Sequence, residues 1–179
     1  MKYSLQSIIH SYENKQDLSY IFFWGHTEDD TLTPACFSQW YPCNFRIDDV
    51  SYNTAEQYMM AQKALLFNDL ETYNKILMAK TPKQFKNLGR CVSDFSECIW
   101  NKNKYDIVVK GNVAKFSQNP HLKDFLVNTN KDILVEASPY DKIWGIGKSA
   151  YCEDIENPYT WEGENLLGFA LMEVRDLLS

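Results

Sequence analysis

Apolar residues change their spacing along this chain at about residue 54. Before it they come in short aromatic clusters. Tyr20-Ile21-Phe22-Phe23-Trp24 ends at Gly25 and predicts a short buried strand. An acidic loop, Glu28-Asp29-Asp30, follows, and Cys36 to Ile47, interrupted by Pro42, predicts extended or irregular chain. From Thr54 onward the helical period takes over, with Ala55, Tyr58, Met59, Leu65 and Leu66 on one helix. Asn68 followed by Glu71 marks a restart, and Leu70, Tyr73, Ile76 and Leu77 a second helix. Thr81-Pro82-Lys83-Gln84 combines an N-cap, a proline at the first helical position and a capping-box partner, with Gly89 as the stop. Trp100, Lys104, Val108, Val109, Val113 and Phe116 predict a long helix to Gln118 in which Gly111 is a weak point. Asn119-Pro120 starts another through Leu122, Phe125 and Leu126. Ile133-Leu134-Val135 predicts a strand, Ser138-Pro139-Tyr140-Asp141 a turn, and Leu167, Leu171, Val174 and Leu178 a final helix from about Glu164. The expected class is α+β, a predominantly helical single domain with a few short strands, residues 1–19 forming an N-terminal extension to a core over 20–179.

With 179 residues, 45% of them hydrophobic, the chain suits one globular domain with one substantial core. A formal net charge of -6 argues against indiscriminate grip on a nucleic-acid backbone, which needs many Lys and Arg contacts to phosphate. The start Met1-Lys2-Tyr3-Ser4-Leu5 lacks the apolar run of a signal peptide, and no segment reaches the roughly 20 apolar residues of a membrane span. A soluble, cytoplasmic protein with no membrane association is expected. Cys36, Cys43, Cys91, Cys98 and Cys152 are odd in number and lack a Cys-x-x-Cys pair, so they are read as reduced, mostly buried thiols. His10, His26 and His121 are scattered, and no metal or cofactor is expected. Trp24 and Trp100 are assigned to the core.

Chemistry concentrates on the first long helix. Glu56 and Lys63 are seven apart, close to two turns, so a carboxylate and an amine point the same way about 10 Å apart along the axis. A plainer account competes with this. Asn53 or Thr54 can be an N-cap with Glu56 or Gln57 as its box partner, and Lys63 can be a solvated residue whose stem covers apolar surface.

Four ordered blocks decide for chemistry: Phe37-Ser38-Gln39-Trp40-Tyr41-Pro42, Thr54-Ala55-Glu56-Gln57-Tyr58 through Gln62-Lys63, Leu88-Gly89-Arg90, and Trp144-Gly145-Ile146-Gly147 with Asn165-Leu166-Leu167-Gly168. Together they resemble the NADAR family of YbiA-like N-glycosidases, from Phe22 onward. This chain has Ser38-Gln39-Trp40 where bacterial members commonly have Ser-Asn-Phe, so the resemblance bears on the fold and the Glu/Lys helix more than on substrate choice. It implies a hydrolase that cleaves the bond between ribose and an exocyclic base nitrogen. The substrate it implies for this branch is ADP-ribosylated guanine in nucleic acid or nucleotide, with an ADP-ribosyltransferase as functional counterpart; the alternative is a ribosylaminopyrimidine phosphate of riboflavin synthesis.

Such glycosylamines open to imines. Lys63 is then the expected Schiff-base nucleophile and Glu56 the general acid and base, provided burial or a nearby cation such as Arg90 lowers the lysine pKa. In a non-covalent version Glu56 activates water and Lys63 only positions the sugar. Trp40 and Tyr41 are expected to line a base pocket, Arg90 to pair with phosphate, Asp141 to accept from ribose hydroxyls and Trp144 to stack on a base. Gly145 and Gly147 would let phosphate approach the backbone, and Ser38, Gln39 and Asn165 complete the expected substrate contacts. A non-catalytic ADP-ribose or nucleotide reader is the rival from another class.

Overall fold

The computed structural model describes residues 1–27 and 29–179, so the Glu28 part of the acidic loop lies outside the described residues. The chain divides into two compact units, Gln39–Asn119 as one and Met1–Ser38 with Pro120–Ser179 as the other.

The unit over residues 39–119 holds a hairpin and four helices. Strands β2 (Phe45–Ile47) and β3 (Val50–Tyr52) pair antiparallel, with Ile47 opposite Val50. Asp48 and Asp49 make the two-residue turn with φ of 50° and 63°, the doubly left-handed conformation that a tight hairpin requires. The extended or irregular chain expected from Cys36 to Ile47 includes β2, but its pairing with β3 is not legible in the sequence, because two three-residue strands around an Asp-Asp turn carry no run of alternation.

Helix α2 (Ala55–Leu66) is the centre of this unit and packs on α3 (Leu70–Met78), α4 (Pro82–Arg90) and α5 (Glu97–Ser117). Residues Ala55 through Ala61 of α2 are buried without a break, so a single apolar stripe understates how it is enclosed. Two glycines set the packing distances. Gly89 is a buried residue inside α4, where a Cβ would stand 2.0 Å from Met60 Sδ; it makes close approach possible and does not end the helix, which runs on to Arg90. Gly111 leaves α5 unbroken and receives the Tyr58 ring, whose Cδ1 lies 2.5 Å from where its Cβ would be.

The unit formed by the two chain ends is built on a parallel pair, β1 (Tyr20–Phe23) with β4 (Ile133–Glu136), Tyr20 opposite Ile133 and Phe23 opposite Glu136. Helix α7 (Leu166–Leu178) packs on β4 and on α6 (Pro120–Val127). Only Phe23 of β1 is buried, where a fully buried strand was expected, since β1 has a single hydrogen-bonded neighbour. Residues 5–13, assigned to an extension, form helix α1 (Leu5–Glu13) behind a Ser4/Ser7 capping box. Buried Arg175 of α7 ties this unit together, donating from Nη1 to Thr129 Oγ1 and Asp132 O at 2.8 Å each.

Three assignments are corrected. Trp24 is 56% exposed and Trp100 half-buried, so neither is a core residue. Among the cysteines only Cys36 is buried, while Cys91 and Cys98 are exposed. No helix among the described residues is long and apolar enough to cross a membrane.

Candidate active site

In the unit over residues 39–119, helix capping decides what Glu56 is free to do. Thr54 is the N-cap and accepts from Gln57 N at 3.1 Å, while Gln57 Oε1 accepts from Asn53 N at 2.8 Å. Gln57 therefore closes the helix start, its side chain reaching the N–H of the residue before the cap, and the capping role does not fall to Glu56. The Glu56 carboxylate is buried at 4% exposure in the first turn of α2, where the helix dipole favours its charge.

Gln39 fixes that turn from outside. Its carbonyl accepts from Glu56 N at 2.8 Å, and its side-chain amide pairs with Asn112 of α5, Nε2 to Oδ1 at 3.1 Å and the reverse bond at 3.4 Å. Asn112 is wholly buried and also donates to Val108 O at 2.9 Å. The expected contact residue Gln39 is thus itself a buried strut at 7% exposure, and Asn112 is a partner that the apolar period of α5 gave no reason to name. A polar residue on the enclosed face of a long helix was the available signal.

Lys63 lies two turns along α2. Its Nζ donates to Gly89 O at 2.7 Å and stands 4.2 Å from the Phe95 ring centre and 5.6 Å from that of Trp100. Carbonyl and rings favour the ammonium form, but burial opposes it and prevails, lowering the pKa below its ordinary value. Among the described residues no carboxylate pairs with it. Arg90, suggested as the cation that depresses this lysine, is not a cause of the shift; it is exposed at the end of α4 and makes no hydrogen bond or ion pair among the described residues. Trp40 and Tyr41 are half-buried, with Lys86 Nζ 5.9 Å from the first ring and Lys115 Nζ 5.7 Å from the second.

The remaining expected residues belong to the other unit, and most of them hold its loops. Asn165 is fully buried in left-handed conformation (φ 54°), its Nδ2 donating to Leu134 O and its Oδ1 accepting from Glu136 N, each at 2.9 Å. Expected on the substrate, it instead welds the start of α7 to β4 and presents no surface to a ligand. Asp141 Oδ1 accepts from Ile143 N and Trp144 N at 2.9 and 2.8 Å, the turn geometry its position after Pro139 suggests. Gly145 is required by the protein itself, since a Cβ there would meet Glu136 O at 2.7 Å. Gly147 has φ +66° and donates to Asp141 O at 3.0 Å. Trp144 and Ser38 are half-buried, Ser38 closing a 3-10 turn by donating its N–H to Ala35 O at 3.1 Å.

Among the described residues no group of His, Cys, Asp and Glu could hold a metal ion. What this chemistry belongs to is indicated by its relatives. The family model described as NADAR domain matches residues 22–179. The chain is 45% identical to "N-glycosidase R617" of Acanthamoeba polyphaga mimivirus over 163 residues, 88% of this chain and 95% of that one. It is 32% identical to "N-glycosidase Npun_R5314" of Nostoc punctiforme over 79% of this chain and 83% of that one. The NMR structure of the Escherichia coli protein YbiA superposes with a TM-score of 0.72 at 28% identity, over 89% of this chain and 84% of that one. The mostly helical α+β architecture is therefore shared with a solved relative, and a helix that buries a carboxylate and desolvates an amine belongs here to a member of the NADAR family.

Proposed function

We propose that this protein is an N-glycosidase that removes ADP-ribose from ADP-ribosylated guanine, with Lys63 as nucleophile and Glu56 as general acid and base. The N-glycosidase part rests on family membership and on relatives that carry that name along nearly their whole length. The finer part rests on one observation above all: an amine held half-buried, its pKa lowered, with no carboxylate to pair it among the described residues. A lysine kept merely for solubility would be exposed and ordinary in basicity.

The chemistry runs as follows. The glycosylamine ring opens to an imine between ribose C1 and the exocyclic nitrogen of guanine. The Lys63 Nζ lone pair adds to C1 as protonated Glu56 gives its own proton to the guanine nitrogen, takes one from Nζ, and delivers that second proton to the same nitrogen. Guanine departs as the neutral amine, leaving C1 bound to Lys63 as an iminium. Glu56 then takes a proton from water, whose oxygen attacks C1. Collapse of that adduct frees Lys63 and releases the sugar as an aldehyde, which recloses. One water is consumed and no electrons are exchanged. In this scheme an ADP-ribosyltransferase acting on guanine supplies the substrate.

Incubation with ADP-ribosylated guanosine and, separately, a ribosylaminopyrimidine phosphate tests substrate class. Borohydride added during turnover is expected to leave a sugar adduct on Lys63, seen by peptide mass, and Lys63→Ala and Glu56→Gln to lose activity. Turnover with no adduct on Lys63 rules out the covalent route, and release of the pyrimidine alone moves the substrate to the riboflavin intermediates.

A further inference from the structure

Basic charge in the unit over residues 39–119 gathers on one helix. Residues 72–93 carry Lys75, Lys80, Lys83, Lys86 and Arg90 and no acid, in a chain whose acidic residues outnumber its basic ones by 24 to 18. Lys75 pairs with Glu71, but among the described residues the other four form no ion pair. Lys80, Lys83 and Arg90 are exposed and Lys86 is half-buried. A helix face kept only for solubility mixes both signs, whereas like charges three and four residues apart repel one another. Charge complementarity selects a polyanion for this stripe.

The flanks of the stripe identify that polyanion. Turning about 100° per residue around α4, the side chains come in the order Gly89, Lys86, Arg90, Lys83, Asn87, Gln84. On the Gly89 flank, Lys63 Nζ donates to the Gly89 carbonyl and Lys86 Nζ stands 5.9 Å from the Trp40 ring centre. On the Asn87 flank lies a hollow of about 350 Å³, lined by Ala79, Gln84, Asn87, Leu88 and Cys91. Gln84 Oε1 accepts from the N–H groups of Lys80 and Thr81, which leaves its NH2 group, with the Asn87 amide, to bond a base edge. The cations thus separate the amine that attacks a nucleoside from a second, amide-walled recess. A single nucleic-acid strand has this layout, with phosphates between unpaired bases. Four cations also exceed the two charges of one diphosphate, so the ADP-ribosyl group alone does not account for them. A membrane surface fits poorly, because the exposed α4 residues Lys83, Gln84, Asn87 and Arg90 offer nothing apolar to insert.

We propose that α4 is a docking strip for single-stranded nucleic acid, on which Lys83, Lys86 and Arg90 hold backbone phosphates while the hollow takes a base neighbouring the modified guanine. This rests on the reading of the substrate as ADP-ribosylated guanine and places that guanine within a strand.

The test follows fluorescence anisotropy of an unmodified single strand of about twelve nucleotides, within the usual footprint of such sites, titrated with the full chain over a salt series. Wild type is compared with Lys83→Gln/Lys86→Gln/Arg90→Gln, with the single exposed change Lys83→Glu, and with Lys102→Gln/Lys110→Gln/Lys131→Gln, which removes equal charge at other exposed sites. Circular dichroism and melting temperature check folding. Expected is a loss of about tenfold to a hundredfold in affinity in the α4 triple, with a salt slope shallower by about 2, since each lost phosphate contact removes about 0.7. Lys83→Glu should lose several-fold, an abasic strand should bind several-fold more weakly, and the control triple should stay within about twofold of wild type. Equal losses in the two triples, or unchanged affinity in folded α4 variants, overturn the proposal. So does tighter binding to phosphatidylserine vesicles or polyglutamate than to the strand, and equal binding of the abasic strand overturns the part given to the hollow. A wild type that binds the strand through α4 yet releases no ADP-ribose from an ADP-ribosylated strand removes the hydrolase reading and leaves the strip. One that hydrolyses ADP-ribosylated guanosine but binds no strand does the reverse.

Discussion

Replacing Asn112 by Ala strikes the strut behind Glu56. Asn112 is wholly buried and Gln39 nearly so, and each satisfies the other's amide. Alanine removes both reciprocal bonds and leaves the Gln39 Nε2 and Oε1 without partners in a site too enclosed for easy rehydration. An unpaired buried polar group costs about 1–3 kcal/mol, and the longer of the two bonds is weak, so a loss of about 2–4 kcal/mol is expected. Gln39→Ala should cost less, because Asn112 keeps its bond to Val108 O. Once either residue is gone the other has less to lose, so the double variant should fall short of the sum by about 1–2 kcal/mol. Urea denaturation of the four proteins, with unchanged m-values as the check on the denatured state, measures this coupling. Because the Gln39 carbonyl holds Glu56 N at 2.8 Å, Asn112→Ala should also lower kcat more than it raises KM. Additivity within about 0.5 kcal/mol would show that the two amides do not act as a unit and that the strut is not one.

Other outcomes follow from the same structure. Gly111→Ala should destabilise by about 1–2 kcal/mol although alanine is the better helix former, because its Cβ would meet the buried Tyr58 ring; an exposed glycine would give a gain in the same urea experiment. Since burial lowers the Lys63 pKa and attack needs the free amine, the rate of adduct formation should rise with pH through a midpoint below 10.5, and single-turnover rates across pH 6–10 measure it. Burial, with Asp48 adding, pushes the Tyr58 hydroxyl up to about 12. The unfolded chain ionises first, near ~10, so the stability this tyrosine gives is whole below that pH and lost as pH rises to about 12; Tyr58→Phe should make alkaline unfolding shallower. Asn165→Ala should cost about 2–4 kcal/mol in thermal or urea unfolding, since two buried backbone partners lose their bonds and a left-handed position loses one of its better-suited residues.

Elements with local punctuation were legible from sequence. Thr81-Pro82-Lys83-Gln84 forms both halves of its capping box, and Glu56 and Lys63 share one unbroken helix. Elements that depend on distant partners were not. Helix α1 buries only Ile8 and opens on a Ser/Ser box, leaving little apolar period to see. Gly89 reads as a stop because glycine often ends helices, yet its neighbour in space is Met60, which no local pattern supplies. The same holds at the candidate site. That Gln57 and not Glu56 closes the cap depends on a choice between adjacent residues made by rotamers, and that burial rather than Arg90 shifts Lys63 depends on Phe95, Trp100 and the Gly89 carbonyl standing around it. Asn112 falls on the apolar period of α5 and announces nothing until the helix is enclosed.

The parallel pairing of β1 with β4 bears on how the chain is made. In synthesis the N-terminal strand leaves the ribosome with its hydrogen-bonding edge unmatched, and it must wait while all of residues 39–119 are translated before its mate appears. The intervening helical block, rich in neighbouring contacts, is able to settle co-translationally in that interval, whereas β1 spends it as an open edge that a chaperone or another nascent chain can capture.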